Sequence, residues 1–374
     1  MWAGRRRATL AAMTDDQLLV ELPPRYCPVQ VDTHPDADLL ESKGADWLSG
    51  YGLAGPRLWA NDCAGFYGRI MPEGVTERLQ MAVDWCFLMF AFDDINCDEV
   101  VPDAAGKQFV DIATRVVRAL EVPDVHLGRT SDLFLAPVRD LAVRAHKFGT
   151  PTQVRRLVDG HRAWYLGVLW ELRCKLADVT PSLNDYAHLR QHTAGGLATT
   201  SWIEIVDGAE IPSAELDSPA VRALSELSFT IAAWDDDLFS YGKETWFAQR
   251  ETTPSNCQLN LIDIIARERG CAVPEALAES VELVNRMTYR FVQLRDAVLP
   301  SASEPLRNYL DCLSRLLRGN MEWGLQAQRY RNPDGKSPDA VHTVGSWTDV
   351  APANADVPPA IPSVAWWWDR DLGH

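Results

Sequence analysis

The chain has 374 residues, 47% apolar and 24% charged with 14 tryptophans, which gives material for a sizeable core and excludes a disordered or fibrous protein. Its 36 basic and 52 acidic side chains leave a formal charge of −16, which repels a phosphate backbone and excludes nucleic acid as an expected partner. The 8 cysteines show no Cys-x-x-Cys pair and read as reduced thiols, and no apolar run reaches the roughly 18 residues of a membrane span, so a soluble, cytoplasmic protein is expected.

Residues 1–20 are basic at Arg5, Arg6 and Arg7, lack the apolar stretch of a secretory signal, and are expected to be flexible. After a Pro-rich approach (Pro23, Pro24, Pro28, Pro35), apolar positions recur at helical spacing with few alternating runs, so residues 21–330 read as one all-α domain, an antiparallel helical bundle. Helices are predicted over 36–49, 75–97, 107–121, 130–147, 151–177, 182–193, 197–206, 219–244, 256–269, 273–298 and 303–330. Gly195-Gly196 should break the rod between two of them, since glycine costs about 1 kcal/mol against alanine inside a helix. From residue 331 to 374 the chain turns Pro-rich and reads as a tail, flexible or docked. Its Trp366-Trp367-Trp368 cannot share one helix face. A tail clasping its own domain is the favoured reading, with an oligomer contact or disorder as alternatives.

Chemistry concentrates at two places. Met81 to Phe92 is apolar nearly all round, as in a helix buried in a bundle, and runs directly into Asp93, Asp94, Asp98 and Glu99. Carboxylates at the end of a buried helix repel one another and are costly to desolvate unless divalent cations neutralise them. On a helix Asp94 and Asp98 share a face, with Asp93 little offset, an arrangement suited to Mg²⁺. A second mostly apolar helix, Leu224 to Trp234, runs into Asp235-Asp236-Asp237, and Asp236, Ser240 and Glu244 follow at i, i+4 and i+8 on one face. Like charges at that spacing cost an isolated helix a few tenths of a kcal/mol, so helix stability does not explain them. Two separate acidic helix ends suggest several metal ions gripping one polyphosphate.

Asp93-Asp94-x-x-x-Asp98 and the downstream Asp236-Asp237-x-x-Ser240-x-x-x-Glu244 resemble the two metal-binding motifs of class I terpene synthases of the bacterial type. The resemblance covers about residues 20 to 330 and extends to Arg190, 46 residues before Asp236, where the family keeps a diphosphate-sensing arginine. It also takes in Thr193 and Ala194 at the linker and effector positions before Gly195, His34-Pro35 and Trp47 near the start, Trp323, Lys243 beside Glu244, and the pair Arg329-Tyr330. Asp236 stands where bacterial members usually have Asn. Asp98 falls one place late, with Cys97 in the common position, which leaves Asp93 the surest ligand and the roles of Asp94 and Asp98 open.

The resemblance implies the class I terpenoid synthase bundle with a central active-site cavity and Mg²⁺ as cofactor, three ions with Mn²⁺ as a substitute. It also implies an isoprenoid diphosphate substrate and a homodimer as a common assembly. Farnesyl diphosphate, giving a cyclic sesquiterpene, is the first expectation, and geranylgeranyl diphosphate the alternative. Metal ligands would come from Asp93, Asp94, Asp98, Asp236, Ser240 and Glu244, and diphosphate donors from Arg190, Lys243, Arg329 and Tyr330. Thr193, Ala194 and Gly195 would form the effector break. Phe90, one turn before Asp93, should face the cavity; Trp323 matches the family's pocket tryptophan; Phe87 and Met89 are further lining candidates, with Trp202 and Phe229 weaker ones. A chain-elongating prenyl diphosphate synthase is disfavoured because Ser240 and Glu244 replace a second Asp-rich repeat, and a non-catalytic all-α scaffold is the reading of another class.

Overall fold

The computed structural model describes residues 9–14, 17–98, 102–125, 133–250 and 257–373. Strands β1 (Thr9–Thr14), β2 (Gln17–Glu21) and β3 (Arg25–Tyr26) lead into helices α1 (Ala37–Gly50), α2 (Pro56–Trp59), α3 (Cys63–Ile70) and α4 (Thr76–Asp93). A π-helical turn, Asp94–Asp98, extends α4. Then come α5 (Pro102–Glu121), α6 (Leu135–Phe148), α7 (Pro151–Ala177), α8 (Leu183–Thr193), α9 (Gly196–Asp207), α10 (Ser213–Leu216) and α11 (Pro219–Ala248). The bundle ends with α12 (Leu261–Arg269), α13 (Val273–Val298), α14 (Glu304–Gln326) and α15 (Gln328–Arg331), followed by β4 (Val341–Val344), β5 (Trp347–Thr348) and α16 (Pro362–Ala365).

Local chemistry sets many of these ends. Thr150 and Gln153 form a capping box with Pro151 at the first turn of α7, and Asp178 in the left-handed region stops that helix. Ser182, Ser218, Asn260 and Ser303 cap α8, α11, α12 and α14 with side-chain oxygens. The predicted helix at 256–269 starts at Leu261 behind that Asn260 cap, and residues 251–256 lie outside the described set. The sequence reading passed over α2 and α3, whose short runs hold too few turns to show a helical period.

Both ends of the chain contribute ordered structure. Within 1–20, residues 9–14 and 17–20 lie in an antiparallel pair of strands, β1 with β2, and β4 joins β2 in parallel, Leu18 opposite Val341. Strand β5 pairs with β3 in the same way. The small sheet sits on the outer side of α11, where Val341 and Val20 crowd Gly242 so closely that a Cβ there would lie 2.5 Å from Val341 Cγ1. Residues 331–373 are docked: Trp367 is fully buried, its Nε1 donates to Glu226 of α11, and its carbonyl accepts from Arg290 of α13. Ser363 holds Asn184 of α8, and Trp366 lies beside Arg222. Among the described residues no helix is long and apolar enough to cross a membrane.

Candidate active site

A cavity of about 200 Å³ opens between α3, α4, α7, α8, α9, α11, α14 and α15. Two helices line it in the same pattern. From α4 come Trp85, Cys86, Met89, Phe90 and Asp93; from α11 come Phe229, Ala232, Ala233 and Asp236. Each set follows one helix face over two turns, apolar first and a carboxylate last, so both acidic ends fall at the same rim.

On the α4 side Asp93 is half-buried and lines the cavity. Asp94 is buried and turned to cations: Arg329 donates to its two oxygens at 2.7 and 3.2 Å and Arg57 at 3.0 Å. Burial alone would raise the Asp94 carboxyl, but Arg329, Arg57 and Lys243 outweigh it and hold the group below its ordinary value. The expected shared face of Asp94 and Asp98 assumed α-helical geometry, whereas the chain there is a π turn, whose bonds close at i+5 and shift the stacking. The Asp98 side chain lies outside the described residues.

On the α11 side three consecutive aspartates go three ways, as steps of a helix near 100° require. Asp235 is fully buried and takes a fork from Arg25 at 2.8 and 3.0 Å. Asp236 faces the cavity and accepts from Arg190 Nη2 at 2.6 Å and from the Tyr330 hydroxyl at 3.0 Å. Asp237 turns inward to Arg190 Nε, the Tyr186 hydroxyl and the Leu261 amide. Burial pushes the Asp237 carboxyl up to about 7 against the pull of Arg190. One and two turns beyond Asp236, Ser240 donates to Glu244 at 2.6 Å, and Asn260 donates to the other Glu244 oxygen at 3.0 Å. The anchoring roles of Asp235, Asp237, Asn260 and Tyr186 were missed in the sequence, although the Asp-Asp-Asp run was itself a signal that the three could not share one site.

Among the described residues no three His, Cys, Asp or Glu side chains converge on one point. Asp93 and Asp236 stand on opposite sides of that rim, with Ser240 and Glu244 one and two turns beyond Asp236 on α11, and together they offer only oxygen donors. That chemistry fits Mg²⁺ or Mn²⁺, which take few carboxylates and complete their shell with water and substrate phosphate. Cationic donors surround the rim. Besides Arg190, the Arg329 guanidinium lies 4.9 Å over the Phe90 ring and the Lys243 ammonium 5.4 Å from the Tyr330 ring centre.

The glycine pair does break the rod. Gly195, at φ +66°, starts α9 in the left-handed region after α8 ends, and Thr193, Ala194 and Gly195 line the cavity beside Arg190. Close approaches hold the break: a Cβ on Gly196 would lie 2.6 Å from Phe229, and one on Gly167 of α7 would lie 2.7 to 2.9 Å from His192 and the Thr193 amide.

Of the expected lining residues, Phe90, Met89, Trp323 and Phe229 face the cavity. Phe87 does not: it points away from the face shared by Trp85, Met89, Phe90 and Asp93 and packs on α1, where Gly44 leaves room for its ring. Trp202 is fully buried behind Trp85, the ring centres 6.3 Å apart. Phe66, Trp85 and Trp164 line the cavity and were not anticipated; Trp85 was within reach of the sequence, two turns before Asp93 on the same face.

Residues 84–289 match the family model for terpene synthase family 2, C-terminal metal binding. The chain is 40% identical to phomopsene synthase of Allokutzneria albata, over 96% of this chain and 100% of that one, and 35% identical to spiroviolene synthase of Streptomyces violens, over 94% and 98%. A crystal structure of a mutant protein from ancestral sequence reconstruction superposes with a TM-score of 0.81 at 35% identity, covering 94% of this chain and 99% of that chain.

Proposed function

The chain belongs to the class I terpene synthases of the bacterial type, and from that premise we propose that it ionises farnesyl diphosphate, releases diphosphate and closes the allylic cation into a cyclic sesquiterpene. The observation that carries this reading is the single rim shared by Asp93 and by Asp236, above a cavity walled with aromatic rings.

Bound divalent ions, three on this reading, would be held by Asp93 and by Asp236, Ser240 and Glu244, and would supply Lewis-acid charge to the departing diphosphate. The protein's own donors do the rest. Arg190, Lys243, Arg329 and Tyr330 stand at the rim to bind phosphate oxygens, and guanidiniums keep their charge when desolvated. Both arginines now rest on carboxylates, Arg190 on Asp236 and Asp237, Arg329 on Asp94. An arriving polyanion competes for them. Movement of Arg190 pulls on Thr193 to Gly195 directly, because its Nη1 reaches the Thr193 hydroxyl at 3.4 Å. Closure then excludes water that would quench the cation. Phe90, Trp323, Trp85, Trp164, Phe66 and Phe229 offer ring faces to the cation, each worth roughly 0.5 to 2 kcal/mol. Departing diphosphate can accept the final proton.

One observation favours a second substrate, geranylgeranyl diphosphate. Cys86, Gly196, Thr199, Ala232 and Ala233 put little bulk into the cavity wall, which leaves depth for a longer chain. Incubation with geranyl, farnesyl and geranylgeranyl diphosphates in turn, with Mg²⁺ or with EDTA, followed by gas chromatography and mass spectrometry of the extract, tests both readings. A metal-dependent cyclic product from one of them establishes the cyclase and its substrate. Recovery of all three diphosphates intact overturns it.

A further inference from the structure

Trp85 is walled on its outer side by rings. Tyr67 and Trp202 lie 6.3 Å from it, centre to centre, and His161 of α7 lies 5.7 Å away at an interplanar angle of 87°. The indole has one polar atom, and it is used: Nε1 donates to His161 Nε2 at 2.9 Å. An indole N–H can only donate, so Nε2 must be the unprotonated nitrogen of the imidazole. The ring proton therefore sits on Nδ1, which meets the Leu157 carbonyl at 2.8 Å. Both bonds are satisfied by one neutral tautomer alone, since an imidazolium would set two donors face to face at Nε2.

The tryptophan that lines the cavity is tied to a fully buried histidine, whereas the Nε1 atoms of the fully buried Trp202 and Trp234 meet no protein acceptor among the described residues. The histidine cannot drift. Its neighbour Gly160 lets α7 approach α9 so closely that a Cβ there would lie 2.9 Å from the Ala198 backbone, and the imidazole is wedged against Trp164, 6.3 Å away, which also lines the cavity.

We infer that His161 is a specificity-determining positioning residue that holds the Trp85 ring in one orientation toward the cavity and enriches its π face by accepting its N–H. Two physical effects act together. The hydrogen bond removes rotation of the indole about its side-chain torsions, so one part of the ring meets the bound carbocation. Donation from N–H to a neutral base also shifts electron density onto the indole, which strengthens the attraction of its face for a cation. Burial pushes the imidazole down to about 4, so it stays neutral and sets no positive charge behind the ring. His161 touches no substrate; it acts through Trp85.

This inference rests on the cyclase reading, and its test separates the two. His161→Leu, His161→Gln, Trp85→Phe and Trp85→Phe/His161→Leu are compared with the wild type for diphosphate release and for product ratios, with circular dichroism as the check of folding. Glutamine can accept from the indole and donate to Leu157, so His161→Gln should keep the wild-type ratio, while His161→Leu should change the ratio of main to minor products about fivefold, the worth of one ordinary hydrogen bond. In the Trp85→Phe background, which has no N–H, adding His161→Leu should change the ratio no further. The Trp85 indole resonance in a ¹⁵N-tryptophan spectrum, identified by its loss in Trp85→Phe, should move upfield in His161→Leu, or in His161→Gln only slightly. A wild type that releases no diphosphate overturns the cyclase reading. An active wild type whose ratios His161→Leu leaves unchanged overturns the role of His161, and so does an indole resonance that does not move, a result that does not depend on activity. Should His161→Leu not fold, a His161→Gln enzyme with altered ratios and an unmoved resonance overturns it equally.

Discussion

At the rim of the cavity Asp93 and Phe90 stand nearly one turn apart on α4, the first among oxygen donors and the second beneath the Arg329 guanidinium. They should answer differently to substitution. Asp93→Asn keeps shape and removes charge, so turnover should fall by on the order of 10²-fold or more with the far-ultraviolet spectrum unchanged; full activity would remove Asp93 from the proposed donor set. Phe90→Leu keeps the volume roughly and loses the ring face, so it should redirect products more than it slows ionisation. An unchanged product profile would place the ring outside the cation's reach. His161 carries a pH signature of its own. Its pKa falls from about 6.5 unfolded to about 4 folded, with Tyr165 the other titratable ring beside it. Between those values the unfolded chain holds the extra proton, so stability from this group is complete above pH 6.5 and is lost as pH falls. Urea unfolding of wild type and His161→Gln at pH 7 and pH 5 should show the wild type losing about 2 kcal/mol relative to the variant. Parallel behaviour of the two would mean the imidazole is not held neutral.

Among the elements, the junction of α8 and α9 is the part most exposed to small changes of shape. Gly167 of α7 admits the His192 and Thr193 backbone, and a side chain there meets main chain that cannot yield. Gly167→Val should cost about 1–3 kcal/mol in stability. It should also lower turnover further than that loss explains, because displacing a group by 1 Å near a reacting centre can cost on the order of 10²-fold. Gly50→Ala, which meets nothing within 4 Å, is the matched control and should change neither. Steady-state kinetics beside thermal melts would distinguish a damaged break from a merely weakened bundle. The π turn after α4 belongs to this scale too. It begins at Asp94, which one helical step turns away from Asp93 toward Arg329, a bond that ties the end of α4 to α15.

For the molecule as a whole, the chain termini clasp the back of the helices that carry the site. Trp367 fills a fully buried position against α11 and α13, while among the described residues none beyond Tyr330 lines the cavity. Trp367→Ala should therefore cost about 3–5 kcal/mol of unfolding free energy and leave the identity of the product unchanged. A shift in product, measured by gas chromatography, would mean that the clasp reaches the cavity through α11. Much of this architecture was legible in the amino-acid order. Helical periods, the two acidic helix ends, the glycine break and the aromatic face below Asp93 are local patterns, set by which residues lie three or four apart on one rod. The all-α fold followed from them, and the family from the resemblance of the two acidic motifs. What the order could not disclose depends on partners far away in the chain: that β2 pairs with β4 across more than 300 residues, that Phe87 turns to Gly44 while Trp85 turns to the cavity, that Asp235, Asp236 and Asp237 each meet a different neighbour, and that a histidine of α7 receives the indole proton of α4. Spacing along a helix assigns a residue to a face, but only the packing of the other helices decides what that face meets.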